Sequence, residues 1–307
     1  MRPISIPNKP ESFIYSPEEG RKELAKLLGH YCSYCERFED ERNIELEHII
    51  PQENGRSPHK DKWYNFLLAC GGCNKAKNRV EGHINRENLR TYILPHIDDT
   101  FHMIEYNPKT KMPKPRENLA ECDKKRVQKT LRMLKFDIPL TTMGEETWEN
   151  LVNLDAFAIA RIDDFRTAER KKEKYIIAKK SNDSEECKDI VQDIIKFAKL
   201  RNWSVYMYVF EDITEIKDAL LQCLQGTDSL YFQKNEKECR EYNKYKYYRY
   251  YLQIMITDIQ YETTINKQEI LSLMKKYSAE IKEMETLSEK QRTELYSYID
   301  TLERLLD

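Results

Sequence analysis

Apolar and polar positions along the chain follow two different periods. Between Ile44 and Ile50 ("IELEHII") they alternate at about every second residue, which predicts a short strand. Pro51 and the Glu-Asn-Gly-Arg-Ser-Pro run after it predict a loop. The apolar "NFLLAC" then leads to Cys70, and the helix formers of "CNKAKNRV" predict a helix from Cys73. From about Thr141 onward the period becomes helical, with Trp148, Leu151, Ile159, Ile162 and Phe165 on one stripe. Ile270, Met274, Tyr277, Ile281 and Met284 recur at spacings of three and four, and Ser288 with Gln291 forms a capping box before a last helix. "WSVYMYVF" (203–210) fits either a short strand or a buried helical segment. This texture divides the chain into residues 1–138 and a mainly helical 139–307.

Composition adds bounds. A chain of 307 residues has room for one large or two modest domains with real cores. The net charge of −2 gives no global field toward nucleic acid, so any basic surface is local. One local excess stands out: residues 101–140 hold ten Lys and Arg against five Asp and Glu. A proline-punctuated loop followed by a basic helix suits a backbone-gripping arm, and equally a solvated helix face. The opening "MRPISIPNKPESFIYS" lacks a signal-peptide pattern, and no apolar run approaches the roughly 18 residues a membrane span needs. The expectation is a soluble, cytoplasmic protein without a membrane partner.

In a reducing compartment the eight cysteines are expected to be metal ligands or buried thiols. Four fall into two C-x-x-C hooks, Cys32 with Cys35 and Cys70 with Cys73, and Cys122, Cys187, Cys223 and Cys239 are scattered. Paired hooks suit tetrahedral Zn2+, because each puts two thiolates on one side of the ion at about 2.3 Å. The alternatives are two unrelated pairs, or a thiol redox site, which would want a βαβ setting that the pattern does not supply. The gap between the hooks is longer than usual, so another element is threaded through it.

That element carries "LEHIIPQ" and "WYNFLLAC", and "CGGCNKAKN" follows. Together these segments resemble the HNH endonuclease, or ββα-metal, family, in which a hairpin and a helix clamp one divalent ion, often beside a four-cysteine zinc site. The resemblance implies an α+β fold: an N-terminal ββα-metal nuclease core with a four-cysteine zinc site within 1–138, followed by a mainly α-helical partner-binding or assembly domain over 139–307. It implies His48 as general base, Glu47 as the acidic metal ligand, Asn65 as the residue bracing the loop that carries the base, and Asn74 as the second metal ligand. Glu47 stands where Asp is common, and Asn74 replaces the last His of the motif. The implied cofactors are structural Zn2+ and catalytic Mg2+ or Mn2+.

The chemistry of these side chains is consistent with those roles. Hydrolysis of a phosphodiester needs a deprotonated water and a cation near the leaving oxyanion. His48, with an ordinary pKa near 6.5, takes a proton at neutral pH. Glu47 and Asn74 offer the hard oxygens that Mg2+ prefers. A regular strand would send Glu47 and His48 to opposite faces, so a bulge or a strand end is expected there. Lys77, three residues after Asn74, is placed either to neutralise a substrate phosphate or as a solvated lysine. His59 reads as an exposed loop residue.

A narrower resemblance is to the HNH nucleases of bacterial anti-phage systems, the PtuB subunit of Septu and its retron-associated relatives, over about residues 1–138. It adds "YCSYCE", "LPHIDDTFHMIEYNP" and "KRVQKTLRMLKFD" to the segments above. It implies a nuclease acting on nucleic acid, DNA before RNA, that works beside an ATPase of the PtuA type, with a retron reverse transcriptase and its msDNA as a further implied partner. The chain has no G-x-x-x-x-G-K-[ST] loop of its own. All six histidines lie within the first 102 residues, so the helical half is read as free of a second active site. One stretch there, "REYNKYKYYRYYLQIMI", interleaves six tyrosines with Arg240, Lys244, Lys246 and Arg249, suiting either stacked single-stranded nucleic acid or a helical core and interface. The rival reading of the whole is a zinc-ribbon binding module without catalysis.

Overall fold

The computed structural model describes residues 1–10, 16–52, 57–78, 84, 88–136, 156–261 and 266–306. The expected boundary at 138/139, and Trp148 and Leu151 of the expected stripe, lie outside them.

Helix α1 (Pro17–Leu28) starts where the Ser16 hydroxyl accepts from the Glu19 amide at 3.1 Å and Pro17 opens the first turn. It ends at Gly29, whose φ of +74° admits no side chain cheaply. Strand β1 (Ile44–His48) then pairs antiparallel with β2 (Phe66–Cys70), with Ile44 opposite Cys70 and His48 opposite Phe66. Helix α2 (Gly71–Asn78) follows β2 directly. Its place beside the hairpin is set by Leu67, Leu68 and Ala69, which have no exposed surface.

Helix α3 (Thr100–Met103) leads into a second small sheet, β3 (Ile104–Tyr106) paired with β4 (Pro113–Pro115), and then α4 (Glu121–Met133). Part of the basic segment is engaged within the chain. Arg126 bridges Asp98 and Asp123 and donates to the carbonyls of Arg90 and Tyr92, Lys114 meets Glu105 and Glu117, and Lys111 meets Glu169.

The remaining α-helices among the described residues are α5 (Ala156–Lys180), α6 (Ser184–Leu200), α7 (Trp203–Val209), α8 (Thr214–Cys223), α9 (Glu236–Gln260), α10 (Lys267–Glu283) and α11 (Glu289–Leu306). "WSVYMYVF" is thus helical, and it is buried nearly all round, which is why neither period shows in its sequence. Ser288 and Gln291 exchange the expected bonds ahead of α11, with the Ser288 amide donating to the Gln291 side chain at 2.9 Å.

Among the described residues the buried apolar side chains form three clusters. One fills the hairpin region and takes in Tyr250, Tyr251 and Ile254 from α9. A second joins α5 to α8 and draws Phe101 and Tyr106 from the N-terminal part, and the third holds α9, α10 and α11 together. Helix α9 is shared between the first and third clusters, so its tyrosines are mainly core: Tyr242, Tyr248, Tyr250 and Tyr251 are buried. None of the described helices is long and apolar enough to cross a membrane.

Candidate active site

Each cysteine hook is a tight turn. In the first, the Glu36 amide donates to the Cys32 carbonyl, the Cys35 amide points at the Cys32 sulfur at 3.5 Å, and a bridge between Tyr31 and Phe38 closes the loop. In the second, the Cys73 amide points at the Cys70 sulfur at 3.4 Å, across the junction of β2 and α2. The Ser33 amide donates to the Leu68 carbonyl and ties the first hook to β2.

The four sulfurs lie within 4.8 Å of one another, and all four residues are buried. A tetrahedral ion with metal–sulfur bonds of about 2.3 Å needs sulfur–sulfur edges of about 3.8 Å. The separation of the Cys35 and Cys70 sulfurs is 3.8 Å. Hydrogen bonds from Cys32, Cys35 and Cys73 push the Cys70 thiol down, toward the thiolate form that binds metal. The donor set therefore fits Zn2+. Cys122, Cys187, Cys223 and Cys239 stand outside the cluster, as free thiols.

The strand period then arranges the polar groups of β1. Glu45 and Glu47 share the face toward α2, and the helix answers with residues three apart. Asn74 donates to the Glu45 carboxylate at 2.7 Å, and Lys77 pairs with Glu47. The second pair is deep: Glu47 is 2% and Lys77 1% exposed, the Tyr34 hydroxyl lies 3.3 Å from Glu47, and the Lys77 ammonium also donates to the His48 carbonyl. Burial pushes the Glu47 carboxyl up, while Lys77 and the Tyr34 hydroxyl pull it back.

These placements differ from what the sequence led us to expect. Lys77, expected to face a phosphate or solvent, is an internal counter-ion. Glu47 turns to Lys77 and Tyr34, and Asn74 turns to Glu45. In this arrangement Glu47 and Asn74 are both engaged within the chain, so a hydrated Mg2+ would take them as ligands only by displacing Lys77 and Glu45.

His48 sits at the end of β1 and takes the other face, edge-on to Phe66 with ring centroids 5.1 Å apart. The strand pairs regularly through His48 with no bulge, so the expected irregularity is absent and alternation alone puts it on the face opposite Glu47. Its Nε2 lies 2.9 Å from the Lys60 carbonyl oxygen. A carbonyl only accepts, so Nε2 carries the proton and Nδ1 keeps the lone pair. The Gln52 amide nitrogen lies across the ring edge, 2.8 Å from Nε2 and 3.1 Å from Nδ1. Burial lowers the His48 pKa below its ordinary value, helped by the charge of Lys77 and opposed by the Lys60 carbonyl and Asp61.

Asn65 holds the loop that supplies that carbonyl. Its side-chain oxygen accepts from the Ile50 amide at 2.7 Å, and its amide donates to the carbonyls of Ile50 and His59 at 2.9 and 3.1 Å. The loop is also anchored from α9. His59 faces Asp258 at 3.1 Å, and the Tyr64 hydroxyl bridges His59 and Thr257 at 2.8 and 2.9 Å. His59, expected to be exposed, is therefore buried as an anchor.

A family model described as HNH endonuclease matches residues 32–79.

The HNH match begins at Cys32 and runs through the hairpin and α2, the same stretch that holds the sulfur cluster, His48, Asn65 and Asn74. No curated protein and no solved structure matches the chain. An HNH endonuclease domain implies binding of nucleic acid, hydrolysis of its phosphodiester bonds and use of a divalent metal. Two groups that shape this HNH site escaped the sequence reading. The Lys60 carbonyl has no signature, because every residue carries one. Gln52 was visible as the polar residue after Pro51, four positions beyond His48.

Proposed function

We propose that the protein is a metal-dependent HNH endonuclease in which His48 is the general base. Nδ1 of neutral His48 takes the proton of the attacking water, the Lys60 carbonyl holds the ring in the required tautomer, and Asn65 holds the loop that presents that carbonyl. The observation that carries this reading is the His48–Lys60 bond, because it leaves Nδ1 as the basic nitrogen of a histidine that lies inside the stretch matching the HNH model. A divalent ion, Mg2+ or Mn2+, supplies stabilisation of the leaving oxyanion when bound. The four cysteines hold Zn2+ in a structural role.

Gln52 is a positioning residue. Its carboxamide lies against both ring nitrogens, so it moves aside, or is replaced by water, when substrate enters.

The substrate assigned is DNA. The narrower resemblance supports a role as the effector of an anti-phage system beside an ATPase partner of the PtuA type, and the shared use of α9 supports it further. A partner seated on the helical part would act on the base through the Asp258–His59 and Thr257–Tyr64 contacts.

The test is plasmid and transcript cleavage by His48→Ala beside wild type, with and without the co-expressed ATPase and with melting temperatures matched. Loss of cleavage with unchanged melting is expected. Unchanged cleavage by a folded variant returns the chain to a zinc-bearing binding module, and cleavage of RNA alone moves the substrate to RNA.

A further inference from the structure

Beside the HNH loop lies a cavity of about 690 Å³, within the range of small-molecule sites. Helix α9 presents it with one stripe: Tyr242, Tyr245, Lys246, Arg249, Tyr250 and Gln253, spaced at three and four. The other walls are residues 5–9, the loop Asp61–Tyr64, His96 with Ile97, and one face of α11 carrying Lys290, Glu294 and Tyr298. The "NKYKYYRYY" run that the core only partly absorbs thus has a second face.

Three observations identify the chemistry of an occupant. The lining carries five Lys and Arg against two Asp and Glu, and with Lys246 paired to Asp228 behind it the remaining excess still favours an anion. Glu294 already imitates one: it accepts from the Tyr245 hydroxyl at 2.6 Å and from Arg249 Nε at 2.8 Å. His96, 9% exposed, stands edge-on to Tyr250 with neither ring nitrogen hydrogen-bonded. A buried imidazole without partners is costly unless something meets it. Burial, with the charges of Lys246 and Arg249, pushes His96 down to about 3, and both of its unmet ring nitrogens are themselves enclosed in the cavity wall.

We propose that this cavity is a nucleotide site, in which Tyr245 and Tyr298 face the base and Arg249 with Lys290 take the phosphate in place of the Glu294 carboxylate. Tyrosine faces beside cations are the general means of holding a base and its phosphate. The occupant is either a free nucleotide or one nucleotide of a bound strand, and only the strand source rests on the nuclease reading. Tyr64, on the loop that holds His48 in place, packs edge-on against Tyr250 at the cavity wall.

The experiment is calorimetric titration of full-length His48→Ala protein without added divalent ion. The probes are adenosine monophosphate, a single-stranded six-nucleotide oligodeoxyadenylate and inorganic phosphate. Lys290 is exposed, so Lys290→Glu leaves the fold intact and is expected to weaken nucleotide binding about tenfold. Tyr298→Leu is expected to weaken it roughly 5- to 150-fold, the range for losing one stacked base. Glu294→Gln, which removes the internal competitor, is expected to tighten it. Binding of the monophosphate assigns a free nucleotide, and binding of the oligonucleotide alone, lost in the same variants, assigns the strand. Phosphate binding as tightly as nucleotide, no binding by either nucleotide probe, or affinity unchanged by both Lys290→Glu and Tyr298→Leu at matched melting temperatures overturns the proposal. Since no strand is cut in this assay, its outcome is independent of whether His48 is the base.

Discussion

Nε2 of His48 lies 2.9 Å from the carbonyl oxygen of Lys60, twelve residues along the chain. That one bond decides which ring nitrogen is basic, and Asn65 keeps its acceptor in place through the carbonyl of neighbouring His59.

The pH dependence follows from the direction of the His48 shift. The base must be neutral to act, and burial lowers its pKa below the ordinary 6.5, so the acid limb of kcat/KM is expected below that value. The Gln52 donor favours the neutral ring, so Gln52→Ala should move the limb upward in pH as well as lower kcat. A pH series of plasmid cleavage for the two proteins is the measurement, and superimposed profiles would remove Gln52 from the site.

His48→Ala is expected to reduce cleavage by about 10²–10⁴, the usual worth of a positioned general base. Its melting temperature should stay at the wild-type value, since the ring is only partly buried and its main partners are a backbone carbonyl and a side-chain amide.

The buried Glu47–Lys77 pair gives a stability test that also reads function. Lys77→Met leaves a carboxylate in a dry site and should cost about 3–5 kcal/mol, whereas Glu47→Gln with Lys77→Met together should recover most of that loss. Urea unfolding of the singles and the double measures it. A Lys77→Met protein of native stability but weakened substrate binding would show instead that Lys77 reaches the phosphate.

Metal analysis should find about one zinc per chain, lost in Cys32→Ser together with the fold of the hairpin, and retained in Cys122→Ser, whose thiol is exposed and outside the cluster. Equal damage from the two substitutions would misplace the site.

Asp258→Ala tests the anchor from α9. It removes the carboxylate that faces His59, so cleavage is expected to fall while zinc content holds, because the HNH loop loses its outer support but the hooks do not. Thermal melting and zinc content are read on the same samples.

Much of this molecule is determined locally, and that part is legible in the sequence alone. The C-x-x-C spacing brings two sulfurs together within one turn wherever it occurs, the period of two makes β1, and Ser288 with Gln291 caps α11, because each depends on residues a few positions apart. Strand alternation likewise places Glu47 and His48 on opposite faces. Only the tertiary structure decides what meets each face. Lys77 and Glu47 are far apart in the chain, and whether a lysine on a helix is solvated or becomes a buried counter-ion depends on which strand the helix lies against. Glu45 and Asn74 meet for the same reason. Helix α9 shows the limit most plainly: its tyrosine-and-lysine run reads as core, as interface or as a stacking surface. It serves the core with one stripe and lines a cavity with another because helices and loops from distant parts of the chain close around it. Periodicity says which residues share a face, and only the packing of elements far apart in sequence says what that face touches.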